Sequence, residues 1–120
     1  MKIGTDITVI SRIEKSYQKF GVKFLNRFLS SQEQKSLSTK TESIAGYWAA
    51  KEAVAKALGC GIGAELSFLD IILYKDSKNA PHFRLSNTAQ QHHRITSSSL
   101  SIAHDGGFAI AVVIIEQEIL

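Results

Sequence analysis

The fold is decided by the stretch from Tyr47 to Gly63, which reads YWAAKEAVAKALGCGIG. Its alanines and leucine favour a helix, and Gly59 is well placed to end that helix in a turn. On a helix, Glu52 and Lys56 are four residues apart and share one face, which continues through Ala49. Small side chains on that face leave room for another group to approach. Glu and Lys at this spacing are also a common surface ion pair, so both interpretations stay open.

Length and composition indicate one globular domain over residues 1–120, with 44% hydrophobic and 21% charged residues. The single cysteine, Cys60, allows no intrachain disulfide and no zinc-ligand spacing, which fits a reducing cytoplasm. The N-terminus lacks a signal-peptide pattern. The longest apolar run, Phe108 to Ile115, is too short to span a bilayer as a helix, so we expect no membrane association.

The net charge of +3 is concentrated near the N-terminus, where residues 1–35 hold seven Lys or Arg and three acidic residues. Such a basic third predicts an acidic partner, which could be nucleic acid, an acidic protein or a phosphorylated ligand. A merely solvated lysine-rich surface is the other interpretation. The charge pattern alone does not choose between them.

The N-terminal half predicts one strand followed by helices. Residues 3–10 alternate as a strand with one mostly apolar face, although Asp6 is unusual inside a strand. Capping-box patterns begin at Ser11 and Ser30, and predict helices from about Arg12 and over about 31–37. A short helical piece is expected near residues 24–29. The long helix should run from Thr41 or Glu42 to about residue 58.

The C-terminal half predicts four strands and a short helix. The strands are expected over residues 67–74, 80–85, 99–103 and 108–116, with Pro81 at an edge or a strand start and Asp105-Gly106 in a hairpin turn. Ser86 should cap a short helix over residues 88–93. The predicted fold is therefore α+β, with a mainly antiparallel sheet of about five strands packed on one long helix.

Several motifs do not support specific chemistry. The glycine loop at residues 59–63 follows a helix, so it is neither a P-loop nor a dinucleotide fingerprint, although it could form an anion nest. His82, His92 and His93 are not spaced for a metal, and we expect them on the surface. His104 differs because it ends a strand at the mouth of a hairpin, where a side chain can face a ligand.

Asp6 and Glu52 are the most informative pair. Carboxylates from a strand and a helix suit Mg²⁺, which binds few protein carboxylates and bridges to substrate phosphates. Lys56 would then supply the positive charge that a phosphate requires. The sequence does not show that Asp6 and Glu52 meet in space.

Five segments together resemble the small bacterial holo-[acyl-carrier-protein] synthases, which are 4′-phosphopantetheinyl transferases. They are IGTDI at 3–7, WAAKEAVAKA at 48–57, GCGIG with SFLDI at 59–63 and 67–71, and SIAH at 101–104. The resemblance covers essentially the whole chain. It implies the transfer of phosphopantetheine from coenzyme A to a serine of apo acyl carrier protein, with release of 3′,5′-ADP, in fatty acid biosynthesis.

The resemblance also implies roles for individual residues. Asp6 and Glu52 would bind Mg²⁺, Lys56 would contact the phosphates, and His104 would lie near the nucleotide. Weaker candidates for lining the same cleft are Lys51, Gly59, Gly61 and Ser101. The serine proton would go to Glu52 or to a metal-held water.

Partners follow from the same resemblance. Arg12, Lys23 and Arg27 would dock the acidic carrier protein, and the chain would form a homotrimer with sites between protomers. Two departures from the family pattern, Tyr47 and Ala103, put a nucleotide-phosphate contact and a hydrogen bond in doubt. The alternative function is a non-catalytic basic α+β module that binds RNA or an acidic protein. The transferase interpretation involves no nucleic acid.

Overall fold

The structure, a computed structural model, describes residues 1–118. The predicted domain end at residue 120 lies outside the described residues. In chain order the elements are β1 (Lys2–Val9), α1 (Ile10–Phe20), α2 (Val22–Phe28), α3 (Ser31–Ser36), α4 (Thr41–Leu58), a 3₁₀ turn (Phe68–Asp70), β2 (Ile71–Lys75), β3 (Pro81–Leu85), α5 (Asn87–His93), β4 (Ile95–Asp105) and β5 (Phe108–Gln117). The predicted α+β class is confirmed.

The five strands form two antiparallel sheets rather than one. β1, β5 and β4 pair in that order, and β2 pairs with β3 alone. The backbone N–H of Leu73 in β2 donates to Oε2 of Glu33 at 2.9 Å. That N–H is therefore used by a side chain and is not free to extend the sheet.

The long helix α4 packs closely across the three-stranded sheet. Ala53 and Ala57 lie against β1, where a Cβ added at Gly4 would collide with the carbonyl oxygen of Ala53 and lie 2.7 Å from the nitrogen of Ala57. Ala49, expected to leave room for a ligand, is fully buried. Most of the small-residue surface therefore serves close packing of helix and strand, which fixes Asp6 relative to α4.

The apolar alternation of β1 faces away from α4. Ile3 and Ile7 are 61% and 62% exposed, whereas Gly4 and Thr8 are buried against the helix. β5 continues this outer surface with four residues that are each about two-fifths exposed, namely Phe108, Ile110, Val112 and Ile114. We call these six residues the outer apolar face. Both sides of this sheet are thus apolar, and α4 covers only one.

Local signals placed most element ends correctly. Ser30 and Glu33 form the predicted capping box, α4 ends at Leu58 with Gly59 in the left-handed conformation, and Ser86 caps α5. The first helix is present as predicted, but the predicted capping box at Ser11 is wrong, because the helix begins at Ile10 without a side-chain cap. A tertiary contact replaces the cap, since the N–H of Ile10 donates to Gly107 O at 2.9 Å.

One further difference concerns the middle of the chain. The strand predicted over residues 67–74 begins only at Ile71, because Ser67 and Asp70 form a capping box that opens the 3₁₀ turn. Among residues 1–118, no helix is both long and apolar enough to cross a membrane.

Candidate active site

Asp6 lies on the side of β1 that faces α4, between the buried Gly4 and Thr8. Its side chain is 12% exposed, and Thr8 donates its hydroxyl hydrogen to Oδ2 at 2.7 Å. The small neighbours leave this carboxylate accessible beside the helix while one oxygen is held by a hydrogen bond. Thr8 was not singled out from the sequence, although its position two residues after Asp6 on the same strand face was available.

Lys56 reaches Asp6 from the last turn of α4. Its Nζ lies 2.8 Å from Oδ1 of Asp6, and the Lys56 side chain is 53% exposed. Within the described residues Lys56 forms no ion pair with Glu52, so the helical surface pair considered from the sequence is absent. A half-exposed lysine keeps enough freedom to move toward a phosphate.

Glu52 lies where the charges of both Asp6 and Lys56 act on its carboxyl group. Burial raises the pKa of Glu52, the nearby charge of Asp6 raises it further, and Lys56 opposes the rise. Asp6 and Glu52 both line one cleft, so strand and helix bring the two carboxylates together. Such a pair favours a bound cation, because positive charge between them stabilises both ionised forms.

A cleft of about 470 Å³ contains all three residues. Its lining consists of Asp6, Ile7, Thr8, Arg12, Ile13, Ser16, Phe24, Arg27, Trp48, Glu52 and Lys56. Trp48 and Phe24 form an apolar wall, with ring centroids 5.9 Å apart. Arg12 and Arg27 add positive charge at the same opening. The cleft thus combines two acids, an amine, two guanidinium groups and an aromatic wall.

Lys51 does not belong to this cleft, which corrects the prediction that it lines the substrate site. It is fully buried, and its Nζ donates to Phe28 O at 2.6 Å, to Glu33 Oε1 at 2.9 Å and to Phe68 O at 3.0 Å. Burial lowers the pKa of Lys51, and the charge of Glu33 opposes that effect. Because residues one apart on a helix point about 100° apart, Lys51 and Glu52 cannot face the same cleft.

Glu33 is the residue that sequence reasoning missed. Its carboxylate accepts from Ser30 N at 2.8 Å, from Lys51 and from Leu73 N, so it joins α3, α4 and β2. The capping box accounted for only one of these contacts. No local pattern indicates that the same carboxylate pairs with a buried lysine 18 residues later.

Gly59 and Gly61 end α4 rather than present free donors. Both have positive φ, and their N–H groups donate to the carbonyl oxygens of Lys56 at 3.0 Å and Ala55 at 3.2 Å. Neither glycine lines the cleft around Asp6 within residues 1–118. These two N–H groups are therefore not available for an anion nest.

Ser101 and His104 are exposed on β4, the edge strand, with β5 lying between β4 and β1. Register places His104 in line with Thr8 across two strand spacings, about 10 Å away. Ser101 pairs with Val112 and so lies on the opposite side of the sheet from Asp6. In a single chain, these two predicted residues do not reach the cleft.

The remaining predicted residues divide into two groups. Arg12 and Arg27 line the cleft, whereas Lys23 is exposed outside its lining. Of the two departures, Tyr47 is buried in the core, where burial and the charge of Glu33 raise its pKa, so its hydroxyl does not replace a surface arginine. Ala103 is exposed on β4 next to His104.

Comparison with known proteins identifies the class that this fold and cleft define. The sequence model of the 4′-phosphopantetheinyl transferase superfamily matches residues 2–113. The holo-[acyl-carrier-protein] synthase of a Sulfurovum species is 56% identical over 118 residues, covering 98% of each chain. That of Campylobacter lari is 55% identical over 96% of this chain and 98% of the relative.

Solved structures agree with the sequence relatives. The structure of the Helicobacter pylori holo-[acyl-carrier-protein] synthase in complex with coenzyme A matches with a TM-score of 0.92 and 54% identity, over 95% of this chain and 99% of that one. The synthase from Neisseria meningitidis matches with a TM-score of 0.87 and 33% identity, over 97% and 98% of the two chains. The chain therefore belongs to the holo-[acyl-carrier-protein] synthase family of 4′-phosphopantetheinyl transferases.

Proposed function

We propose that the protein transfers 4′-phosphopantetheine from coenzyme A to a serine of apo acyl carrier protein. The serine oxygen forms a bond to the β-phosphorus of coenzyme A, the bond from that phosphorus to the bridging oxygen breaks, and 3′,5′-ADP leaves. The observation that carries this proposal is the meeting of Asp6, Glu52 and Lys56 in one cleft. Family membership and the coenzyme A complex of the Helicobacter pylori relative support the same reaction.

Asp6 and Glu52 would hold Mg²⁺. Two partly buried carboxylates that repel each other are the oxygen ligands that this hard cation prefers. When bound, the ion would neutralise charge on the diphosphate and on the departing 3′,5′-ADP. Thr8 would hold Oδ2 of Asp6 and leave Oδ1 for the cation.

On substrate binding, Lys56 would leave Asp6 and pair with a phosphate group. In the free protein its ammonium neutralises Asp6, and its exposed stem allows the ammonium to turn toward a phosphate. The serine proton would go to Glu52 or to a water held at the metal. Most of the remaining catalysis would come from positioning and electrostatic stabilisation.

The carrier protein would approach over Arg12, Lys23 and Arg27. All three are exposed, and two of them line the cleft, so an acidic partner docked there would bring its serine to Glu52. Charge attraction of this kind mainly raises the association rate and weakens with salt.

A homotrimer would cover the outer apolar face. A sheet surface with six large, exposed apolar residues is typical of an interface rather than of a monomer. Assembly through it would bring Ser101, which lies on this side of the sheet, and His104 of one protomer toward a neighbour's cleft. We propose that Gly59, Gly61, Ser101 and His104 contact coenzyme A only in that assembly, as part of fatty acid biosynthesis in the cytoplasm.

The aromatic residues do not support the RNA-binding alternative. Phe24 and Phe28 are buried, and Trp48 packs between them and Phe68, with ring centroids 4.7 Å to 5.9 Å away. These rings are used in packing and offer no platform for stacked bases.

A mass measurement tests the proposal. The protein is mixed with coenzyme A, Mg²⁺ and apo acyl carrier protein, and the carrier should gain the mass of one phosphopantetheine. A carrier whose acceptor serine is replaced by alanine is the matched control and should gain nothing. Absence of any gain on the intact carrier, together with tight and salt-sensitive RNA binding, would reject the transferase.

A further inference from the structure

Three side chains with metal-binding atoms meet outside the cleft. Glu65 belongs to the loop after α4, and His92 and His93 form the last turn of α5. One carboxylate oxygen and one nitrogen from each imidazole all lie within 4.8 Å of one another. We propose that Glu65, His92 and His93 form a second metal site, for a transition-metal dication such as Zn²⁺ or Ni²⁺.

His92 is exposed, as expected from the sequence, whereas the expectation that His93 is a surface residue is wrong. Their rings are in edge contact, with centroids 4.7 Å apart, and His93 is only 7% exposed. They lie in the final turn of α5, which ends at the left-handed Arg94. Residue spacing did not predict the site because Glu65 comes from a separate segment.

His93 supplies the second observation that points to a ligand. Its Nε2 is buried and has no hydrogen-bond partner within the described part of the chain. Leaving a buried polar group unpaired carries a free-energy cost. A cation coordinated by this imidazole would remove that cost.

The backbone around the three residues is well anchored. The side chain of Gln117 donates to the carbonyl oxygen of His93 at 2.7 Å, and Gly63 N donates to Leu66 O at 2.9 Å beside Glu65. Leu66 itself is fully buried. The positions from which the three ligands project are therefore fixed by contacts that do not involve the ligands' own donor atoms.

The side chains need only a small adjustment to bind an ion. Tetrahedral zinc ligands about 2 Å from the metal lie roughly 3.4 Å apart. Glu65 and His92 already hydrogen-bond to each other at 2.9 Å, and both side chains are more than half exposed, so they can rotate toward His93. The rigid, buried imidazole would receive the ion, and the two mobile ligands would close on it.

The donor set decides which metals fit. Two imidazoles and one carboxylate suit zinc, nickel or copper, whereas Mg²⁺ prefers oxygen ligands alone. Asp70 lines a cavity of about 250 Å³ together with Glu65 and His92, but it is already bonded to Ser67 and Ser86 and is not needed as a ligand. The site shares no residue with the Asp6–Glu52 cleft, so it does not depend on the proposed function.

Zn²⁺ titration of the untagged full-length protein tests the site, with a chromophoric chelator as competitor. The wild type should bind one ion per chain at this site, and Mg²⁺ should not compete. Glu65→Gln and His92→Ala change exposed side chains and should weaken binding by roughly tenfold or more. His82→Ala is the matched control, because it removes an exposed histidine from a pair with Asp76 elsewhere and should leave this affinity unchanged.

His93 is buried, so its role is tested without substitution. Zn²⁺ should shift the ring nitrogen resonances of His92 and His93 in the wild type. Unchanged His93 resonances would overturn the three-residue site. Equal affinity in the wild type, Glu65→Gln and His92→Ala would mean an adventitious ion only, and would also overturn the proposal.

Discussion

The ammonium nitrogen of Lys56 lies 2.8 Å from Oδ1 of Asp6, although the two residues are 50 positions apart in the chain. Glu52, one turn earlier on the same helix, is not its ion-pair partner. This bond joins β1 to the end of α4 and places a movable positive charge beside two carboxylates. In the free protein Lys56 therefore offsets the negative charge of the two carboxylates. When a phosphate ligand binds, Lys56 can turn to the phosphate and leave the carboxylates to a cation.

The first prediction concerns the coupling of the two carboxylates. Burial and then Asp6 raise the pKa of Glu52, and Lys56 lowers it. Asp6→Asn should therefore lower the pKa of Glu52 toward its ordinary value, whereas Lys56→Met should raise it further. NMR titration of the Glu52 side-chain carboxyl carbon measures both shifts. Glu14→Gln, on the exposed side of α1, should change neither, and no fall in Asp6→Asn would mean that the carboxylates act separately.

The second prediction concerns the close contact of β1 and α4. Gly4→Ala should reduce the free energy of unfolding by about 3 kcal/mol or more, because the new Cβ meets backbone atoms of Ala53 and Ala57 that cannot easily move. Urea denaturation measures this loss. Gly63→Ala is the matched control, since nothing lies within 4 Å of its added Cβ, and it should be nearly neutral. Equal stability of the two variants would contradict the packing described.

The third prediction concerns carrier docking. Arg27→Ala should raise KM for the apo carrier protein several-fold at low salt, with little change in KM for coenzyme A. The difference should shrink near 1 M salt, where the screening length is about 3 Å. Lys78→Ala removes the same charge from the turn between β2 and β3 and should have no effect. A rise confined to KM for coenzyme A would show instead that Arg27 serves that substrate.

The fourth prediction concerns assembly. Ile110→Asp places a charge at the centre of the outer apolar face, so it should convert a trimer into monomers in light scattering and reduce activity. Leu69→Asp is the control, because Leu69 is 51% exposed on the 3₁₀ turn, outside this face. A wild-type protein that is monomeric at micromolar concentration would contradict the proposed homotrimer.

Local chemistry predicted much of the fold and the main residues of the cleft. The Ser30 cap and the end of α4 at Gly59 follow from short-range rules, and the structure has both, whereas the hairpin turns one residue later than predicted, at Gly106-Gly107, with Asp105 still paired in β4. Asp6 was conspicuous because a strand interior seldom holds an aspartate. These features could be read because each depends on neighbours a few residues away.

Long-range contacts could not be predicted in the same way. The alternation of apolar residues predicted that β1 is a strand, but it did not predict which side of the strand would face α4. The exposure of Ile3 and Ile7 was therefore not foreseen. Lys51 and Glu33 are separated by 18 residues, and only the folded chain shows that they pair and remove Lys51 from the cleft. The cluster around His93 was missed for the same reason, because Glu65 lies in a separate loop and comes close to His93 only in the folded chain.

The central claim is that Asp6 and Glu52 together hold one Mg²⁺ for phosphopantetheine transfer. The most direct measurement is the rate of carrier modification as a function of Mg²⁺ concentration for the wild type, Asp6→Asn and Glu52→Gln, with Glu14→Gln as the control acid. We expect saturable Mg²⁺ dependence in the wild type and the control, and a loss of at least about a hundredfold in kcat/KM in both site variants. Wild-type turnover by either folded site variant, or full activity in a chelator, would contradict the claim.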